Sequence, residues 1–457
     1  MRSGQDVQVW EDGKIGMKAI HYFAVWMTVS AVISPGAFDG DQPVPLDPVL
    51  LSGDFWTKSA AGIGAELQPL GFVSTSAAGD SLRAAHKGLT FGGLRIYEAI
   101  VRFREERANE VTLIFYNRGD AGEVGQDAFE TMIREIPVTL SGLFGAQAKE
   151  RGRDASSAVR ADGLVWDGPS RSATLEWSFV RESRAKNIPF RSEFIRLSLT
   201  PPGAHLAPMV GASPPPKTKD IVKAFSGQDK VQKAEGGDVF LGGVPMVDQG
   251  QKGYCVVASV ERVMRYFGTS VDQHELAQIA NTRTEGGTSP AAMVDSLKKL
   301  TMRLGVRVKE AVPFDFRDFL RMIEDYNRAA KRAKEPEVKL GGRVVDISAC
   351  YQQMKPEIFR EVRLKKSADF HRFQREIQDS ITEGIPLLWS VQLGVVPEPE
   401  IPQAAGGHMR LVIGFNPQSR EILYSDSWGL GHEMKRMSAE DAWVITSGLS
   451  IIQPAGT

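Results

Sequence analysis

The stretch 247–268, VDQGQKGYCVVASVERVMRYFG, sets Cys255, one of only two cysteines in the chain, where a glycine-bearing turn becomes a helix. Gly250 and Gly253 let the backbone turn sharply. Beyond them Val256, Val260, Val263 and Phe267 recur at helical spacing, which predicts an amphipathic helix over 255–267 with one apolar face. A thiol at a helix start sees the positive end of the backbone dipole, which favours the thiolate. Gln249 lies six residues before the cysteine, on the turn. Its side-chain amide, together with the Cys255 backbone N–H, suits stabilisation of an oxyanion. Taken alone, Cys255 also reads as a small buried apolar residue or as a disulfide partner of Cys350, so the choice depends on what the rest of the chain supplies.

A chain of 457 residues is too long for one ordinary core, so two domains are expected. With 42% hydrophobic and 24% charged residues the composition is that of a folded globular protein and excludes general disorder. The net charge of -1, with basic residues interspersed among acids, excludes nucleic acid as a partner. From Met17 the chain runs MKAIHYFAVWMTVSAVISPG, an apolar run shorter than the ~18 residues of a membrane span, with Ser34 and Gly36 at the -3 and -1 positions of a cleavage site. This predicts a signal-peptide region over 1–36, with Met17 as the start, and a secreted or periplasmic product. A retained N-terminal membrane anchor is the alternative.

Residues 37–200 read as an α+β domain of unknown role. A helix is expected within SGDFWTKSAAGIGAELQPLG, capped by Ser52 or Asp54 and stopped at Gly71. An antiparallel pair joined around RANE follows, then a helix from Gln126 to about Arg151 interrupted at Pro137, and finally strands about a DGPS turn and at FIRLSLTPP. His86 and His205 stand alone there. The segment 201–237, rich in Pro, Gly and Lys, is the expected linker. From 238 to 457 helices come first, at 255–267, 272–281, 289–304, 315–334 and 367–383, and strands dominate afterwards. The Lys/Arg/Glu-rich helices before Pro386 read as a solvated face.

That late strand region supplies what a thiolate needs. GGHMRLVIGF places His408 at a strand entry, and EILYSDSWG places Asp426 at the end of the next strand, with a short NPQS turn between. An antiparallel hairpin brings both to its open end, where Asp426 can hold the imidazole while His408 exchanges a proton with Cys255. Trp428 reads equally as a cover over this pair or as a core aromatic. His274, His371 and His432 have no ligand spacing, and there is no HExxH, paired CxxC or phosphate loop, so neither metal nor cofactor is expected.

DQGQKGYC at a helix start, a strand-initial His after small residues and a later DSWG, in that order, resemble the three signatures of papain-fold cysteine peptidases. Asp426 in place of the family's usual Asn is similar to the bacterial branch related to bacteriocin-leader-processing, double-glycine-type peptidases, which use a Cys, His, Asp triad. The likeness covers about 240–447. Val256 stands where papain itself has Trp, and Lys252 where it has a disulfide cysteine, so papain's own subfamily is not implied. The resemblance implies an α+β papain-like domain, helical in front and antiparallel behind, preceded by a separate α+β domain. It implies a thiol peptidase acting on a peptide or protein substrate through Cys255, His408 and Asp426, with Gln249 as oxyanion donor. Transglutaminase-like or amidase acyl transfer on the same triad, and a non-catalytic papain-fold binding module, are the alternatives.

Overall fold

The computed structural model describes residues 42–151, 159–183, 187–204, 222, 225–250, 253–269, 271–282, 290–341 and 345–455. The expected export segment and most of the expected linker lie outside them, as does His205. Among the described residues no helix is long and apolar enough to cross a membrane. Helices and strands mix in an α+β arrangement built on two eight-stranded antiparallel sheets, each with its own apolar core.

The N-terminal sheet contains β1 (Val73–Ser74), β2 (Ser81–Ala84), β3 (Glu98–Arg104), β4 (Arg107–Asn117), β5 (Lys149–Glu150), β6 (Asp162–Asp167), β7 (Ser172–Val180) and β8 (Arg191–Thr200), in the order β1-β2-β3-β4-β8-β7-β6-β5. The β3–β4 turn falls at Glu105 and Glu106, both with positive φ (53° and 62°), and not around RANE, which lies inside β4. Two left-handed residues match the twist of a two-residue hairpin, a role more often filled by Gly or Asn, so the sequence conceals it. Helix α1 (Ala60–Leu67) is capped by the Ser59 hydroxyl, not by Ser52 or Asp54, because the preceding Phe55–Thr57 turns as a separate 3-10 segment. Gly71 (φ 85°) ends the segment as expected. Helix α2 (Gln126–Phe144) runs through Pro137 without interruption and ends before Arg151. A proline inside a helix costs about 3 kcal/mol. Phe129, Ile136 and Leu140, buried on either side of it, hold the helix in register.

The second sheet contains β9 (Val231–Lys233), β10 (Val239–Leu241), β11 (Val306–Val312), β12 (Leu387–Leu393), β13 (Gly406–Asn416), β14 (Glu421–Ser425), β15 (Lys435–Ser438) and β16 (Thr446–Pro454). The path β9-β10-β13-β12-β16-β11 carries β14 on β13 and β15 on β14. The sheet therefore begins at Val231, inside the stretch read as linker: Gly237, at φ 87°, lets 231–241 fold into a hairpin. The helices of this half are α3 (Cys255–Tyr266), α4 (Gln273–Ile279), α5 (Pro290–Leu304), α6 (Phe316–Ala333), α7 (Ile347–Gln352), α8 (Pro356–Leu364) and α9 (Ser367–Thr382), with α10 (Ala439–Ile445) between the last two strands. Ser438 caps α10, its hydroxyl accepting from the Asp441 N–H at 3.0 Å. Helix α6 buries Phe319, Met322, Ile323 and Tyr326, at about 1.5–3 kcal/mol per side chain, and exposes Arg317, Asp318 and Arg321. Its charge run is thus a solvated face on a packed helix.

Helix α3 departs from the amphipathic expectation, since Glu261 and Arg262 are as buried as the valines. Glu261 accepts from the Gln273 N–H at 2.6 Å, and Arg262 is enclosed by backbone carbonyls. The two sheets meet at α4. Arg196 of β8 pairs with Glu176 at 2.8 Å, with Glu275 at 2.7 Å and with Asp272, and Ser178 donates to Gln278 at 2.8 Å.

Gly384, just past α9, has φ 80°, and a Cβ there would lie 2.1 Å from the Gly227 carbonyl carbon. Gly384→Ala is therefore expected to destabilise the protein by more than ~1 kcal/mol in urea titrations, through backbone strain and overlap together. An unchanged midpoint would contradict this close approach.

Candidate active site

The site is built on the β13–β14 hairpin. Asn416 closes its turn, its side-chain oxygen accepting from the Gln418 and Ser419 N–H groups at 2.9 and 3.0 Å. Pairing of Leu411 with Ser425 sets the register, so Asp426 follows β14 directly opposite the early part of β13. Residues two apart on a strand share a face, which places His408 and Arg410 together. Both reach one atom: His408 Nε2 lies 2.9 Å from Asp426 Oδ1, and Arg410 Nε donates to the same oxygen at 2.8 Å. Arg410 also pairs with Glu398 at 2.9 Å and lies 4.5 Å over the Tyr424 ring, whose hydroxyl donates to Glu398 at 2.9 Å. The side chains of His408, Arg410 and Asp426 are all withdrawn from solvent.

These contacts fix charge. Burial pushes the Asp426 carboxyl up, but the Arg410 charge and the His408 hydrogen bond outweigh it and hold the pKa at about 2. Burial likewise opposes a charged imidazole, yet the Asp426 hydrogen bond, followed by the influence of Cys255, raises His408 above its ordinary value. Cys255, half-buried at the start of α3, is the thiol that acts on this ring. Trp428 stacks on His408 with centroids 4.1 Å apart and planes 9° apart, so the cover reading describes its place.

Gln249 joins the same loop. Its backbone N–H donates to the Ser427 carbonyl at 2.9 Å, and the Ser427 hydroxyl donates to Gln249 Oε1 at 2.7 Å, which orients the amide. Arg262, two turns into α3, ties the helix to this loop, donating to the Asp426 carbonyl and to the Pro245 carbonyl, each at 2.8 Å. Ser259 donates to the Met409 carbonyl at 3.5 Å, seating the helix on β13. All four expected residues are thus carried on segments that touch one another, and Ser427, the residue beside Asp426, holds Gln249.

Both cysteines are free thiols, so the disulfide alternative falls. Cys350 is buried on α7, and burial pushes its thiol pKa up. His432 serves through its backbone, its carbonyl accepting from the Asp426 N–H at 2.9 Å. Arg410, Glu398, Tyr424, Arg262 and Ser427 were not anticipated. The spacing of His408 and Arg410 was the available signal for one of them.

Residues 318–451 match the model of the Peptidase_C39 like family. The matched span includes His408 and Asp426 and begins after Gln249 and Cys255. Among solved structures, the chain is similar to xylellain, a cysteine protease from Xylella fastidiosa, at 13% identity and a TM-score of 0.25, with 48% of this chain and 85% of that chain covered. No curated protein matches. Over residues 318–451 the C-terminal region is thus similar to the Peptidase_C39 like family.

The lowered Asp426 pKa contributes stability that is full above about pH 4 and fades as pH falls toward 2. The raised His408 pKa contributes stability that is full below about pH 6.5 and is lost as pH rises through its folded value. The deficit of Asp426→Asn in urea unfolding is therefore expected to be largest between about pH 4 and 6.5 and to shrink on both sides. A deficit that is flat across pH would show that the pair is not charged as described.

Proposed function

We propose that the protein is an exported cysteine peptidase, with residues 238–457 as its peptidase domain and 37–200 as an accompanying α+β domain. Cys255 gives its proton to His408 and attacks the peptide carbonyl, forming the C–S bond. Gln249 and the Cys255 backbone N–H donate to the resulting oxyanion. On collapse the C–N bond breaks, His408 returns its proton to the leaving amine, and a thioester on Cys255 remains. Water then attacks the thioester while His408 accepts its proton, releasing the carboxylic acid and the thiol. Asp426 fixes the ring orientation throughout and stabilises the imidazolium.

The single observation that carries this reading is the buried His408 ring, held through Nε2 on Asp426 and raised in pKa by both Asp426 and the Cys255 thiol. The family match over 318–451 supports it independently. Treatment of the full chain with iodoacetamide is expected to label Cys255 ahead of Cys350, whose thiol is buried. Cys255→Ala should lose that labelling, and His408→Ala should slow it by ~10-fold or more, as removal of an acid–base partner does. Equal labelling of both cysteines, or labelling unchanged in His408→Ala, would defeat the proposal. Release of new peptide N-termini, rather than incorporation of an added amine, separates hydrolysis from acyl transfer.

A further inference from the structure

The turn that carries Gln249 is held from the other sheet. Asp248 closes the turn, its Oδ1 accepting from the Gly250 N–H at 2.8 Å, with Gly250 at φ 67°. Its second oxygen, Oδ2, lies 3.4 Å from Nη1 of Arg83, on β2 of the N-terminal sheet. Arg83 is itself fixed, Nε donating at 2.5 Å to Glu98, which is fully buried. Its guanidinium lies directly against the turn, since a Cβ added to Gly250 would stand 2.5 Å from Nη2. Two further contacts reach the neighbouring segments. Gly119 approaches Tyr254, the residue before Cys255, so closely that a Cβ would stand 2.5 Å from the phenol oxygen. The Ala77 N–H donates to Glu433 at 2.6 Å, just beyond the loop that carries Trp428.

Besides its contacts at α4, the N-terminal half thus touches the oxyanion turn, the start of α3 and the end of the loop that covers His408. Exposed ion pairs contribute ~0–1 kcal/mol and hold little in place. Arg83 and Asp248 have side chains only 13% and 18% exposed, and Arg83 is anchored behind by a buried carboxylate, so this pair is directional. We infer that Arg83 is a positioning residue for the oxyanion turn. By holding Asp248 and Gly250 it keeps Gln249 in place, which makes the N-terminal half a working part of the enzyme rather than a removable cover. The inference rests on the proposed acylation of Cys255. Arg83 touches no reacting atom, so its effect is confined to steps that build negative charge on a carbonyl oxygen.

That confinement supplies the test. Acylation by p-nitrophenyl acetate passes through an oxyanion, forming a thioester on the thiol and expelling p-nitrophenolate. Alkylation by iodoacetamide displaces iodide at a saturated carbon and forms no oxyanion. Both rates are to be measured at Cys255 in the full chain, in Arg83→Ala and in the paired variant Arg83→Gln with Glu98→Gln, which leaves no buried carboxylate without its partner. Loss of an oxyanion donor costs ~100-fold or more, so displacement of the turn is expected to slow acylation by ~10- to 100-fold in both variants. Alkylation should be unchanged. Acylation unchanged in the paired variant would overturn the inference, and so would an equal fall in both rates, which would mean that Arg83 merely supports the fold. Wild-type Cys255 that reacts with neither reagent would instead defeat the peptidase reading on which the inference rests.

Discussion

One carboxylate oxygen organises the site. Oδ1 of Asp426 takes hydrogen bonds from both His408 and Arg410 with no access to solvent, and a buried negative charge persists only where cations and donors surround it. Arg410 satisfies that condition permanently, because a guanidinium stays charged, and is itself balanced by Glu398. With Asp426 ionised in this way the imidazole is held by one nitrogen. The placement of Cys255 has meaning only because this ring is fixed first.

Helix α3 brings the thiol to the ring, and it can do so because its polar side chains are bonded inside the protein. Arg262 donates to carbonyls from two loops, one of them that of Asp426, and Glu261 receives a backbone N–H from α4. A buried arginine loses hydration, and burial lowers the Arg262 pKa to about 10, so each carbonyl it meets helps keep it charged. The helix, the β13–β14 hairpin and the Gln249 turn are thereby tied by directional bonds as well as by apolar packing. The N-terminal sheet closes the assembly from outside, through Arg196 on α4 and Arg83 on Asp248.

The residues of the candidate site were legible because each sits in a short local pattern. Gln249 and Cys255 share one turn and helix start, and His408 lies on, and Asp426 just after, two strands joined by a four-residue turn. Arg410 and Glu398 were not legible as a pair, since nothing local links them and only the register of β13 brings them together. Arg262 looked solvent-facing in a sequence where charge ordinarily marks a surface. Strand β11 was missed although VRVKEAV alternates in the manner of a half-buried strand, because its partner among the described residues, β16, lies at the far end of the chain. Pro137 in α2 and the Glu105–Glu106 hairpin show tertiary packing overriding local preference.

The proposed activity stands on covalent chemistry at Cys255, and the most direct measurement is to trap it. The full chain is mixed with a broad peptide library and quenched in acid within a turnover, and the acylated residue is located by mass spectrometry. An acyl adduct confined to the peptide bearing Cys255, absent in Cys255→Ala and accompanied by new peptide N-termini, is the predicted result. New N-termini without any adduct on Cys255, or with the adduct on another residue, would contradict the account.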